Sequence, residues 1–161
     1  MNMDTAHRSH WEISEVIFGI PFLISIVLQW LAPLALPQGS LRQAFIPVGI
    51  VLIVVGLSFI VLARREFAQY RQSMEPGQPI SKIVRTGVFS ISRNPLYLGI
   101  AVALSGIALV LNILWILVLL IPALILCHVV LIAPEERYLT HKFGEEYLAY
   151  ATSVHRWLGR K

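Results

Sequence analysis

From Asn94 to Pro134 the chain has no charged residue for 41 positions. A membrane-spanning helix needs about 20 apolar residues, so this run is too long for one helix and just long enough for two. We therefore predict a helical hairpin that breaks near Asn112, with spans over residues 96–111 and 113–133.

Two further apolar runs come earlier, over residues 16–36 and 44–63, and each has the length of a spanning helix. Only 14% of the residues are charged, against roughly 25% in soluble domains. The predicted fold class is all-α, a polytopic membrane bundle of four transmembrane helices in a single domain. A cytoplasmic loop over residues 64–95 and a C-terminal amphipathic helix over residues 134–151 complete it.

Basic residues are distributed as the membrane prediction requires. Eleven of the 13 fall in two segments, one after the second span and one after the fourth. Because basic loops stay on the cytoplasmic side, we predict a multi-pass integral membrane protein with both termini cytoplasmic, in a bacterial inner membrane. The charge placement suits a bilayer, so no nucleic-acid partner is expected. The single cysteine, Cys127, excludes an intrachain disulfide.

The predicted hairpin brings charged side chains to one membrane edge. It returns the chain to the side that it left, so Arg93 should lie near Glu135 and Glu136. The segment ISKIVRTGVFSIS, Ile80 to Ser92, is rich in β-branched residues and turn formers, which favours extended backbone with accessible polar groups. These parts could form a polar site. An ordinary surface loop and a helix-capping role for the two glutamates remain open on these residues alone.

Two linked motifs around the hairpin resemble a known family. The first is IVRTGVFSISRNPLYLG, and the second, after the hairpin, is EERYLTHKFGEEYLAY. Together they are similar to the signature of integral membrane methyltransferases related to isoprenylcysteine carboxyl methyltransferase, a group that also includes phospholipid methyltransferases. The second motif matches the pattern E-E-x-x-L-x-x-x-F-G-x-x-Y-x-x-Y at every fixed position, and the resemblance covers residues 80–150.

The resemblance implies methyl transfer from S-adenosylmethionine, held at the cytoplasmic surface, to a lipid or other lipophilic small molecule from the membrane bilayer, with no metal required. A carboxylate can bind the cationic groups of S-adenosylmethionine, and an arginine can receive its carboxylate. The residues that the resemblance assigns to the cofactor are Ser81, Lys82, Ile83, Val84, Phe89, Asn94, Pro95, Leu96, Tyr97 and Glu135. The residues expected to act in the transfer are Arg93, Asn94 and Glu136.

Three positions depart from the family pattern. Asn94 stands where the family has a histidine, and an amide can form hydrogen bonds but cannot titrate. Phe89 stands where relatives often have tyrosine. Leu131, four residues before Glu135, stands where the prenylcysteine enzymes have an arginine thought to hold the substrate carboxylate. The expected acceptor is therefore an uncharged or amine-bearing lipophile.

Two other functions fit some of these features. A membrane reductase of the sterol-reductase type, which uses NADPH, would have a similar histidine-proline-aromatic turn near its carboxyl end, but such proteins are usually longer. A non-enzymatic membrane protein that keeps the fold would tolerate Asn94. The complete second motif favours the methyltransferase.

Overall fold

The computed structural model describes residues 10–37, 39–70 and 82–161 of the chain. Within these ranges the regular structure is helical, which confirms the all-α fold class. The elements are α1 (His10–Leu31), α2 (Ser40–Gln69), a 3-10 turn (Gly87–Ser90), α3 (Pro95–Leu111), α4 (Leu114–Cys127), a π-helical turn (His128–Ile132), α5 (Ala133–Phe143) and α6 (Glu145–Ser153).

Three helices of the described chain are long and apolar enough to cross a membrane. They are Ile13–Leu31, Leu41–Gln69 and Leu114–Phe143, the last of which joins α4, the π-helical turn and α5. Large apolar side chains on α1 and α2, such as Leu23 and Val51, are exposed, as expected of surfaces that face lipid. The chain is thus an integral membrane protein. The helix α3 is also apolar but has only 17 residues, so the count of four spans stays a prediction.

Helices α2 and α3 pack along a line of glycines. Gly49 and Gly56 on α2 face Gly106 and Gly99 on α3. A Cβ atom on Gly56 would lie 2.5 Å from the carbonyl oxygen of Gly99, and one on Gly106 would lie 2.5 Å from that of Gly49. Small residues at such positions let helix backbones approach closely inside membranes. The contact holds α2 against α3. The last residue of α2, Gln69, and the first residue of α3, Pro95, are therefore held in position relative to each other.

The hairpin breaks where the sequence predicts, at Asn112. This residue ends α3 in the left-handed conformation, with φ 60°, which asparagine adopts more readily than most residues. Its Oδ1 accepts a hydrogen bond from the Leu36 N–H at 3.0 Å. Arg42 donates to the carbonyl oxygens of Leu109 and Val110 at 2.6 and 2.8 Å. The bonds from Arg42 satisfy two of the final carbonyl groups of α3, and the bond from Leu36 ties the hairpin to the α1–α2 connection.

The structure differs from the prediction at Pro134, where the sequence indicates the start of a separate helix. The helix instead continues through Pro134 from Leu114 to Phe143. Proline has no amide hydrogen, so an ordinary α-helix would lose a hydrogen bond at this point. The turn before Pro134 has the wider π form, in which the Ala133 N–H bonds to the carbonyl oxygen of His128. This wider turn lets the helix accommodate the proline.

The single helix predicted over residues 134–151 is divided in two. Helix α5 ends at Phe143 and α6 begins at Glu145. The residue between them, Gly144, has φ 52° and ψ −127°, a conformation that is strained for any residue with a side chain. The resulting bend lets α6 pack against the loop before α3, as the site requires.

Candidate active site

A cleft lined by apolar, aromatic and charged side chains lies where the end of α2, the loop before α3 and helices α5 and α6 meet. The structure therefore brings Arg93 and the two glutamates of the second motif to one place, as expected of a hairpin. Eight of the residues predicted for the site line this cleft: Lys82, Ile83, Val84, Phe89, Arg93, Asn94, Glu135 and Glu136.

Three described residues predicted for the site do not line the cleft, and a fourth cannot be placed relative to it. Pro95 is fully buried, and Leu96 packs against two apolar clusters. Tyr97 is 8% exposed and belongs to the apolar core around Cys127. Ser81 lies outside the described residues. Contact of these four with a cofactor stays a prediction.

The loop before α3 is fixed against α2. Thr86 donates a hydrogen bond to Oε2 of Glu66 at 2.7 Å, and its hydroxyl oxygen lies 3.0 Å from that of Tyr70. Gly87 follows with φ 55°, and a Cβ atom there would lie 2.1 Å from Oε1 of Glu66. The positive φ favours glycine, and a side chain at this position would also have to displace the end of the Glu66 side chain. The 3-10 turn that forms one wall of the cleft is therefore held in place by α2.

Aromatic residues connect this turn to both α2 and α6. The ring of Phe89 meets that of Phe67 edge to face, with centroids 5.1 Å apart. The Tyr150 hydroxyl donates to the carbonyl oxygen of Phe89 at 2.7 Å, and Arg93 Nη1 donates to the Tyr147 hydroxyl at 3.3 Å. Burial raises the pKa of both tyrosines, so their hydroxyls stay neutral at physiological pH. Two tyrosines of the second motif thus hold the cleft wall and its arginine.

Glu136 is the centre of an ionic cluster. Nε and Nη2 of Arg156 lie 2.9 and 2.7 Å from its two carboxylate oxygens, and Arg93 Nη1 lies 3.1 Å from Oε1. The side chains of Glu136 and Arg93 are 18% and 10% exposed, so water screens these charges only weakly. The hydrogen bonds to Glu136 raise the pKa of Arg156. Two arginines share one carboxylate, which leaves a net positive charge in the cluster.

The neighbouring Glu135 has different surroundings. It lines the cleft, and among the described residues it belongs to no ion pair. Nε of Arg93 is buried and has no hydrogen-bond partner within the described part of the chain. The cleft therefore combines a carboxylate without a cation and a guanidinium donor without an acceptor. Such a pair complements a ligand that carries both an ammonium and a carboxylate group.

Residues after α6 hold the turn that contains Asn94. The Arg93 N–H donates to the carbonyl oxygen of His155 at 3.1 Å. Nδ2 of Asn94 donates to the carbonyl oxygen of Arg156 at 3.1 Å, and Ser92 Oγ donates to the same oxygen at 3.4 Å. The amide that replaces the histidine of the family pattern is therefore a hydrogen-bond donor within the fold, at a position 9% exposed.

A second, open groove lies on the other side of Glu136. Arg156 and Glu136 border it, together with His128, Arg137, Thr140 and His141. His128 lines this groove and not the cleft.

Sequence reasoning did not assign to the site four residues that line the cleft, Phe67, Leu139, Tyr147 and Tyr150, nor Arg156, which binds Glu136. Leu139, Tyr147 and Tyr150 occupy fixed positions of the second motif, so the motif itself contained a signal for them. Phe67 is one apolar residue in a long apolar helix, and Arg156 follows both motifs without any recurring pattern. Neither had a signal in the sequence.

The fold and the cleft together define a helical membrane protein whose candidate site contains charged residues and lies where the loop before α3 meets α5 and α6. The chain belongs to the phospholipid methyltransferase family, which matches residues 45–146. The match begins in α2, ends in α6 and includes both glutamates and Arg93. No curated protein and no solved structure matches the chain. The family indicates a membrane methyltransferase.

Proposed function

We propose that the protein transfers a methyl group from S-adenosylmethionine to a lipophilic acceptor at the cytoplasmic face of a bacterial inner membrane. One observation carries this proposal. Glu135 and Arg93 both line the cleft, and among the described residues the Glu135 carboxylate belongs to no ion pair and Nε of Arg93 has no hydrogen-bond acceptor. S-adenosylmethionine has an amino-acid group with an ammonium and a carboxylate, and it also has a sulfonium.

The residues of the cleft fit this molecule chemically. Glu135 would bind the ammonium or the sulfonium, and Arg93 would donate to the carboxylate. The rings of Phe67 and Phe89 give the cleft an aromatic wall, which suits a flat adenine base. No group of three or more histidine, cysteine or acidic residues suited to a metal occurs in the described chain. Methyl transfer from a sulfonium needs no metal, so the proposal includes none.

When bound, S-adenosylmethionine supplies an activated methyl group that a nucleophile can displace directly. The chain's own residues would hold the bound S-adenosylmethionine and align it with the acceptor. Glu135 and Arg93 would fix the amino-acid group, and Glu136 positions the Arg93 guanidinium through their 3.1 Å contact. Apolar residues of the lining, such as Leu139, would keep water away from the reacting atoms. Alignment and exclusion of water can together lower the barrier by several kcal/mol.

The acceptor is proposed to be an uncharged or amine-bearing lipophile. The apolar Leu131 is fully buried and cannot hold a substrate carboxylate as an arginine would. A prenylcysteine carboxylate is therefore a poor candidate. The family membership supports a lipid acceptor, and the lipid-facing helices around the site support its entry from the bilayer.

Two measurements test the proposal. Purified protein is incubated with methyl-labelled S-adenosylmethionine and a total membrane lipid extract, and the labelled product is identified. In parallel, thermal unfolding is followed with S-adenosylhomocysteine or with NADP, since a ligand that binds the folded state raises the unfolding midpoint. We expect a labelled lipophile and a shift with S-adenosylhomocysteine only. A shift with NADP alone would favour the reductase, and no shift with either would favour a non-enzymatic protein.

A further inference from the structure

Residues 154–161, here called the hook, fold back onto the turn before α3. The hook closes through a 2.8 Å hydrogen bond from the His155 N–H to the carbonyl oxygen of Gly159. It is attached to the turn by two more backbone bonds, from the Gly159 N–H to Ile91 at 2.8 Å and from the Arg93 N–H to His155 at 3.1 Å. The hook lies beyond residues 45–146, the part of the chain that the family match covers.

Arg156 joins the hook to the cleft in two ways. Its side chain binds both carboxylate oxygens of Glu136, at 2.9 and 2.7 Å. Its carbonyl oxygen accepts hydrogen bonds from Asn94 and Ser92. One residue therefore links α5 to the turn that carries Arg93. A planar guanidinium is the side chain best suited to this two-point contact with a carboxylate.

The contact with Arg156 also determines what Arg93 can do. Because Arg156 occupies both oxygens of Glu136, Arg93 reaches that carboxylate only through Nη1, at 3.1 Å. Nε of Arg93 is left buried without an acceptor in the described chain. Without Arg156, Glu136 would have Arg93 as its nearest cation, and a closer pairing would turn the guanidinium away from the cleft.

We propose that Arg156 is a positioning residue, which neutralises Glu136 and anchors the turn so that the Arg93 guanidinium stays available to the carboxylate of the bound methyl donor. This inference rests on the proposed function and extends the site to the hook. An ordinary surface ion pair contributes little to stability. The inference instead predicts that the contact between Arg156 and Glu136 affects the affinity for the methyl donor.

The first experiment compares Arg156→Ala, Arg156→Lys and the matched control Arg160→Ala for affinity to S-adenosylhomocysteine and for KM and kcat. Arg160→Ala removes the same charge from the same hook, and within the described ranges the hydrogen-bond partner of the Arg160 side chain is the Ser90 carbonyl oxygen, at 3.4 Å. We expect Arg156→Ala to weaken affinity roughly tenfold, as loss of one charge-assisted hydrogen bond does, with the larger change in KM. Arg156→Lys should recover part of the affinity, and Arg160→Ala should retain all of it.

A double-mutant cycle with Glu136→Gln tests whether Arg156 acts through Glu136. If it does, Arg156→Ala should add little to the affinity loss of Glu136→Gln. Additive losses would overturn the inference, as would a lower unfolding midpoint in Arg156→Ala with unchanged affinity.

Hydrogen exchange of the Arg93 amide separates this inference from the proposed function, since it needs no activity. Arg156→Ala should increase its exchange rate several-fold, and Arg160→Ala should leave it unchanged. If the wild-type protein neither binds nor uses S-adenosylmethionine, the proposed function fails, and faster exchange still supports the anchoring role of Arg156. Unchanged exchange in Arg156→Ala overturns that role whatever the activity.

Discussion

Glu135 and Glu136 are adjacent in the chain, yet Glu136 binds two arginines and Glu135 belongs to no ion pair among the described residues. Neighbouring residues of a helix point about 100° apart, so one carboxylate faces the arginine cluster while the other remains available in the cleft. The two glutamates should therefore have separable functions.

Replacing each glutamate by glutamine tests this separation. Glu135→Gln keeps the size of the side chain but removes its charge, so affinity for S-adenosylhomocysteine should fall roughly 10- to 100-fold. Isothermal titration calorimetry in detergent measures the effect. His128→Ala is the control, because His128 lines the other groove, and it should retain wild-type affinity. Equal losses in Glu135→Gln and His128→Ala would show that the cofactor binds elsewhere.

The hydrogen bond between Tyr150 and Phe89 should stabilise the cleft wall. Tyr150→Phe removes the hydroxyl that donates to the Phe89 carbonyl at 2.7 Å and leaves that oxygen without this donor. We expect the free energy of unfolding to fall by about 1–2 kcal/mol, measured by thermal or denaturant unfolding. Tyr138→Phe is the matched control, since its hydroxyl contacts the exposed Lys142, and it should change stability much less.

Alkaline pH should destabilise the fold through its buried tyrosines. Burial raises the pKa of Tyr147 and Tyr150 in the folded state. The unfolded chain therefore loses these protons first, and stability is retained below about pH 10 and falls as the pH rises further. The unfolding midpoint should decrease as the pH rises above about 10, and less steeply in Tyr150→Phe. An equally steep decrease in that variant would contradict the explanation.

The glycine contact between α2 and α3 should tolerate no side chain. A Cβ atom on Gly56 would lie 2.5 Å from backbone atoms of α3, so Gly56→Ala forces the helices apart. We expect a loss of about 1–3 kcal/mol, seen as a lower unfolding midpoint in detergent. Gly19 is a helical glycine with nothing within 4 Å of the added atom, so Gly19→Ala should be neutral or stabilising. Similar losses in both variants would exclude helix separation as the cause.

The length of the uncharged run was enough to predict the hairpin, because two helices and one return are the simplest way to place 41 uncharged residues in a bilayer. The same argument placed Arg93 near Glu135, and the structure brings both into one cleft. These features follow from the requirements of the bilayer, which act on the chain as a whole.

Other features depend on contacts that the sequence pattern does not specify. The sequence predicts one amphipathic helix over residues 134–151, in which Leu139, Phe143 and Tyr147 recur every four positions and form an apolar stripe. Gly144 divides that helix, and the same apolar side chains instead form a cluster with Ile83 from the loop. A glycine can occupy either a continuous helix or a left-handed break, and only tertiary packing decides between them.

Arg156 was unpredictable for a related reason. Its partner Glu136 is 20 residues away, and the contact depends on the path of the hook, which backbone hydrogen bonds determine. A lone arginine after the motifs has the same appearance in sequence whether it faces water or a carboxylate.

The shortness of α3 has a consequence for the lipid around it. Its 17 residues extend about 25 Å, less than the roughly 30 Å of a typical hydrocarbon layer. At the C-terminal end of α3 the Arg42 guanidinium binds the carbonyl oxygens of Leu109 and Val110, so a positive charge lies level with the last turn of this helix. In the predicted arrangement of four spans, the bilayer beside α3 would become thinner to match its length, at a cost of fractions of a kcal/mol per ångström of mismatch. Acyl-chain length thereby becomes a variable that acts on α3, the helix whose other end carries the candidate active site.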